Sequence, residues 1–174
     1  MVVSSRRFVL IVTSETITYR QMKAEDILDA SNLVVSVFNK FVAPEYSAEG
    51  VQEFYRYIEP TAFQERAQAN HFGLIALVQT KVVGMIEIRG YKHVSLLFVD
   101  QGYQRRGIAK ELLFQALQIC QTYEPQLLEI SVNSSSFAVP IYEKLGFYQF
   151  GKRQVRNGIG FVPMILKLLH QNGD

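Results

Sequence analysis

The stretch from His93 to Ala116, HVSLLFVDQGYQRRGIAKELLFQA, changes its hydrophobic period once, and a glycine sits at the change. Val94 to Val99 is an apolar run of β-branched and aromatic character, which predicts a buried strand. Asp100, Gln101, Gly102 and Tyr103 then form a polar turn. Apolar residues return at helical spacing at Ile108, Leu112, Ala116 and Ile119, flanked by Leu113, Leu117 and Cys120. The chain must therefore pass from strand through loop to helix. A helix beginning there leaves its first backbone N–H groups without partners and presents the positive end of its dipole, so it favours an anion.

The residues at this join exclude two familiar phosphate loops. Gly102 and Gly107 have the spacing of a Walker A loop, but Ile108 and Ala109 stand where lysine and a hydroxyl residue are required. This argues against an ATPase or GTPase, and the dinucleotide pattern GxGxxG is absent as well. Lys+Arg 18 against Asp+Glu 16 leaves a net charge of +2, which gives no case for nucleic acid or a membrane surface as the main partner. One cysteine, Cys120, rules out an internal disulfide and fits a reducing, cytoplasmic compartment. Its helical position makes it a core residue rather than an acyl-enzyme nucleophile. His71, His93 and His170 have no metal-ligand spacing, so no metal is expected.

At 174 residues the chain is read as a single domain, with residues 1–15 as an N-terminal extension and an extra edge strand as one option for them. Phe8 to Val12 follow Arg6 and Arg7, but this apolar run is too short for a signal peptide or a membrane span. Ile17 to Met22 predicts a strand, and the stripe from Ile27 to Phe41 a helix. Ser47 opens a second helix through Phe54, Tyr55 and Ile58, which Pro60 interrupts or restarts. The aromatics here (Phe38, Phe41, Tyr46, Phe54, Tyr55, Tyr57, Phe63) serve either as core of a helix pair or as a binding wall. In the second case Glu45, Glu49 and Glu53 would attract an ammonium group. Gly73 to Gln79 and Val82 to Ile88, about a turn at Thr80-Lys81, form an antiparallel meander with Val94 to Val99. Leu127 to Val132 follows the long helix and is expected to lie parallel beside Val94 to Val99. Asn133 ends that strand, and Ser134, Ser135 and Ser136 are candidate caps of a short helix through Tyr142 that Gly146 closes. Asn157-Gly158 predicts a tight hairpin turn, and Pro163 a bulge or unpaired edge in the last strand.

Two motifs converge on one family. Gln104-Arg105-Arg106-Gly107-Ile108-Ala109 resembles the acetyl-coenzyme A pyrophosphate loop of the GCN5-related N-acetyltransferase (GNAT) superfamily. Asn133, followed by Ala138 to Phe147 with Tyr142, Gly146 and Phe147, resembles that superfamily's Asn-bearing strand end and Tyr-x-x-x-Gly-Phe helix. The resemblance covers residues 17–168. It implies an α/β (α+β mixed) GNAT fold, with a central, mostly antiparallel sheet of six to seven strands flanked by about four helices. Its fourth and fifth strands would be parallel and splayed.

The resemblance also implies an acetyl-CoA-dependent N-acetyltransferase acting on a small-molecule or peptide amine, and it leaves a homodimer open. Phe98 and Val99 would hold the pantetheine and the acetyl carbonyl, and the amides from Arg105 to Lys110 the pyrophosphate, with Arg105, Arg106 and Lys110 adding charge at the rim. Tyr142 would protonate the departing CoA sulfur or hydrogen-bond to it; a phenol with a pKa of about 10 remains a donor at neutral pH. Asn133 would bond the pantetheine amide or cap the helix. His93 stands where one branch of the family has a glutamate base, and an imidazole with a pKa of about 6.5 suits that role. Glu87 is the other candidate, and an ordered water chain a third. The alternatives are a non-catalytic acyl-CoA sensor and an enzyme acting on a protein N-terminus or lysine.

Overall fold

The computed structural model describes residues 15–168, so the extension read into residues 1–15 lies outside the described residues except for Glu15. Strand β1 (Ile17–Gln21) leads through a 3-10 turn into α1 (Ile27–Phe41), then α2 (Ala48–Ile58) and α3 (Pro60–Gln68). Strands β2 (His71–Val78), β3 (Lys81–Arg89) and β4 (His93–Val99) follow, then α4 (Ile108–Tyr123), β5 (Glu129–Ser134) and α5 (Val139–Lys144). The chain closes with β6 (Tyr148–Gln149), β7 (Gln154–Arg156) and β8 (Ile159–Lys167).

The strands form one sheet in the order β1-β2-β3-β4-β5-β8-β6, with β7 also on β8. Every pairing is antiparallel except that of β4 with β5. This is the mixed α/β sheet the resemblance implies, with eight strands rather than six or seven and five α-helices rather than four. Pro163 accounts for the extra strand. It has no N–H to donate, so Phe150 can only give its own N–H to the Pro163 carbonyl (2.9 Å), and the segment facing β8 breaks there into β6 and β7. The first hairpin turns at Gln79-Thr80, one residue earlier than expected, with Gln79 at φ 54.

Helices cover the sheet on both faces, which is why β3 is apolar almost throughout rather than alternating. One core lies under α4 and includes Ile86, Ile88, Val94, Leu112, Ala116 and Cys120; the other lies under α1 to α3 and includes Val34, Ile58, Phe63, Ile75 and Met85. Asp26, just before α1, receives both Arg20 guanidinium nitrogens at 2.6 and 2.8 Å and the Lys23 N–H at 2.8 Å, fixing the helix to β1. At α2, Ser47 caps the Gly50 N–H at 3.1 Å. Gly50 itself lies against the Gly158 carbonyl of the β7-β8 turn, where a Cβ would collide. Among the described residues no helix is long and apolar enough to cross a membrane.

Candidate active site

The parallel strands β4 and β5 are zipped only at their beginnings, where His93 pairs with Ser131 and Val94 with Val132. Beyond Val94 they separate. A bulge marks the parting: Ile88 pairs with Val94 but Glu87 with Leu96, so Ser95 is an extra residue that bends β4 away. The space between the strands is a cleft of about 460 Å³, within the range of small-molecule sites.

One mouth of the cleft is the loop into α4. Asp100 accepts the Gly102 N–H and pairs with Lys81, both at 2.8 Å, and Gln104 donates to the Val99 carbonyl at 3.1 Å, so the loop is tied to the end of β4. Arg105 and Gly107 both have left-handed backbones, at φ 62 and 83, which turns successive N–H groups toward one side. Gly107 has no side chain with which to cap α4, and the first amide to close a helical bond is that of Glu111, onto the Gly107 carbonyl at 3.0 Å. The amides of Ile108, Ala109 and Lys110 consequently have no protein partner among the described residues. Nothing lies within 4 Å of the position a Gly107 Cβ would take. Close seating of the helix start depends on Gly84 of β3, where a Cβ would come within 2.7 Å of Ile108 Cγ2.

Phe98, Val99, Gln104, Arg105, Gly107, Ile108, Ala109, Lys110, Asn133 and Tyr142 all line the cleft. Arg106 does not: its guanidinium stacks over the Tyr103 ring at 4.8 Å and meets Glu15 at 3.3 Å. Asn133 belongs to β5, paired with Pro163, and is no helix cap; Ser135 instead accepts the Ala138 N–H at 3.2 Å. The Tyr142 ring is 6% exposed, set edge-on to Phe147, and burial raises its pKa above the ordinary phenol value. Its hydroxyl makes no hydrogen bond to protein among the described residues.

Neither basic candidate faces the cleft. His93 lies at the zipped end, its Nδ1 2.8 Å from the Ser131 hydroxyl, and burial with Arg89 nearby lowers its pKa to about 4. Sequence spacing put it on the correct strand, but the bulge at Ser95 separates it from the open part. Glu87 is 2% exposed, one layer behind the wall, where Arg66 Nε donates to it at 3.0 Å and the Tyr57 hydroxyl at 3.3 Å. Burial raises its pKa, with Arg66 and Tyr57 pulling the other way. The Tyr57 phenol in turn lies beside Ser95, which does line the cleft.

The ambiguous aromatics divide. Phe38 and Phe63 are fully buried core, whereas Phe41, Tyr46 and Phe54 line the cleft with Phe98 and Phe137. Phe41 stacks on Phe137 with ring centroids 5.0 Å apart, and Phe54 lies 6.1 Å from Phe98. Glu45, Glu49 and Glu53 do not reach the lining. Phe137 and Ser95 had no sequence signal of their own: the first is an isolated aromatic in a loop, the second an ordinary residue within a strand pattern.

A mostly antiparallel sheet, prised open between its two parallel strands with an unpartnered helix start at the mouth, defines the class of the GCN5-related N-acetyltransferases. The chain belongs to this superfamily, since residues 42–168 match the family model of the acetyltransferase (GNAT) domain. It is 31% identical over 81 residues to the uncharacterized N-acetyltransferase YafP of Escherichia coli (strain K12), a match spanning 47% of this chain and 49% of that protein. The chain thus spans about half the length of that curated relative. Its fold is similar to the crystal structure of a GCN5-related N-acetyltransferase from Rhodopseudomonas palustris (TM-score 0.75, 22% identity, 88% of this chain and 96% of that one). It is equally similar to the PaiA N-acetyltransferase of Thermoplasma acidophilum, solved in complex with coenzyme A (TM-score 0.74, 21% identity, 88% and 99%).

Proposed function

We propose that this protein transfers the acetyl group of acetyl-CoA to a primary amine by direct attack in a ternary complex. The observation that carries this reading is the parting of β4 from β5 after Val94, which leaves one open cleft running from the free amides of α4 to Tyr142. The amides of Gly107 to Lys110 would hold the diphosphate, with the Arg105 and Lys110 charges beside it; Arg106, engaged by Tyr103 and Glu15, leaves that set. Phe98 and Val99 on one strand and Asn133 on the other flank the open seam in which the pantetheine would lie, the Val99 carbonyl being taken already by Gln104. Cys120, fully buried with its thiol pushed up to about 12 by burial, is unsuited to a covalent intermediate.

The amine nitrogen attacks the thioester carbonyl, the C–N bond forms, the C–S bond breaks, and one proton leaves nitrogen while the sulfur gains one. Tyr142 supplies the proton or a hydrogen bond at sulfur, since burial keeps its hydroxyl protonated well above neutrality. For the proton leaving nitrogen, Glu87 is better situated than His93. It is reached from the cleft wall at Ser95 through Tyr57, and its raised pKa brings it nearer the working pH of a base. The test is CoA thiol release from acetyl-CoA over a panel of primary amines, with calorimetric titration of acetyl-CoA alongside. Amine-dependent release is the expected result. Tight binding with no release over the whole panel would instead establish a non-catalytic sensor.

A further inference from the structure

From Lys144 through the C-terminal hairpin to Lys167 the chain carries Lys144, Lys152, Arg153, Arg156 and Lys167 and no acid, although its net charge is only +2. Every ion pair among the described residues lies between Glu15 and Arg106, so none engages this stretch. Arg153 differs from its basic neighbours in having a seat. It directly precedes β7, which pairs with β8, and Gly160 of β8 leaves the gap it occupies: a Cβ at Gly160 would collide with the Arg153 guanidinium. The guanidinium therefore rests on β8 instead of ranging through solvent, whereas Arg156 is turned to the Phe161 ring.

This seat adjoins the cleft. The tip of the hairpin is locked to the start of α2, where the Ser47 hydroxyl donates to the Gly158 carbonyl at 3.4 Å and Gly50 lies against the same carbonyl. Tyr46, one residue before Ser47, lines the cleft. Its phenol feels two charges of opposite sense, Glu45 raising its pKa and Arg153 lowering it. The cleft at Tyr46 is thus bordered by one carboxylate and one guanidinium, neither of them in an ion pair among the described residues. Arg105 and Lys110 belong to the mouth at the start of α4 and do not share this border.

From this arrangement we propose that the acceptor is a zwitterion, an amine that also bears a carboxylate, with the carboxylate received by Arg153 and the ammonium directed past Glu45 into the cleft. The inference deepens the acetyl-transfer reading and rests on it. A guanidinium presents its N–H groups in a planar fork that matches the two oxygens of a carboxylate. Seating on β8 holds that fork in place before the ligand arrives, so less side-chain freedom is lost on binding. An amine with no anion would meet the guanidinium as a like charge, and an anion with no amine would meet Glu45 in the same way. A ligand carrying both signs answers both groups at once.

The experiment compares two matched pairs on the full chain, L-phenylalanine with phenethylamine and L-lysine with cadaverine, each pair differing only in the carboxylate. Binding to the CoA-loaded protein is measured by calorimetry, and acetylation by CoA release from acetyl-CoA. In at least one pair the carboxylate-bearing member should be preferred about fivefold in affinity and kcat/KM, the upper end of what an exposed ion pair contributes. Phenethylamine and cadaverine serving as well as their counterparts would overturn the inference. Preferred binding of the amino acid with no turnover would uphold the acceptor class and overturn the transfer reading alone. Arg153 is exposed, so Arg153→Gln should leave the fold and acetyl-CoA affinity unchanged while the preference disappears. Gly160→Ala displaces the guanidinium without removing it and should weaken the preference in the same direction. A preference that survives both variants would remove Arg153 from the acceptor site.

Discussion

Tyr142 owes its character to where the chain buries it. With almost no water around the ring, the phenolate is disfavoured, and the hydroxyl remains a donor over the whole physiological range. Tyr142→Phe keeps the ring and its edge contact with Phe147, so fold and acetyl-CoA affinity should be unchanged. Turnover should fall by about 10²-fold, the lower end of what positioned proton transfer contributes; steady-state rates beside a binding titration check this. The two half-buried imidazoles carry a different prediction. Burial holds His71 and His93 at about 4, below the value of about 6.5 in an unfolded chain. As pH falls, the unfolded chain therefore takes up protons first, and the stability contributed by these neutral rings is whole above about pH 6.5 and lost progressively toward 4. Urea midpoints measured at pH 7 and at pH 4.5 should differ less in the double variant His71→Gln/His93→Gln than in the natural protein.

At the scale of elements, the loop into α4 and the strand beneath it need glycine for opposite reasons. Gly84→Ala puts a Cβ against Ile108 and should cost about 1 to 3 kcal/mol in overpacking, lowering acetyl-CoA affinity because the helix start is pushed off the sheet. Gly107→Ala meets no protein atom, so its stability loss should be limited to the left-handed backbone, about 1 to 2 kcal/mol. Its Cβ would, however, occupy the space in front of the amides, and acetyl-CoA affinity should drop further than in Gly84→Ala. Denaturation curves and titrations of both variants separate the two effects. These elements were legible in the sequence because each side of the loop has its own hydrophobic period, strand before and helix after. The bulge at Ser95 was not legible, since an extra residue in one strand shows only against the register of its partner, and a run of apolar residues buried on both faces does not fix that register. His93 was misplaced relative to the cleft for the same reason. The aromatic residues of α1 and α2 could not be divided either, because core-facing and cleft-facing positions adjoin on the same helical stripe.

For the molecule as a whole, the opened seam between β4 and β5 divides one sheet into two parts joined by two residue pairs and by helices above and below. A donor lying in that seam would bond to both sides, so acetyl-CoA should stabilise the protein as any ligand of the native state does, by about 2.7 kcal/mol at a hundredfold excess over Kd. Amides of β4 beyond Val94 that face β5 should exchange hydrogen rapidly in the free protein and slowly with acetyl-CoA bound. Equal exchange in both states would place the donor elsewhere. The fit of Gly50 against Gly158 reaches further than local packing. It makes the tip of the C-terminal hairpin the footing on which α2 stands, and α2 carries Phe54 into the cleft. Lengthening or stiffening that hairpin tip would tilt the helix and resize the cleft without altering a residue inside it. The shape of the cleft is thus open to adjustment from a turn on the far edge of the protein.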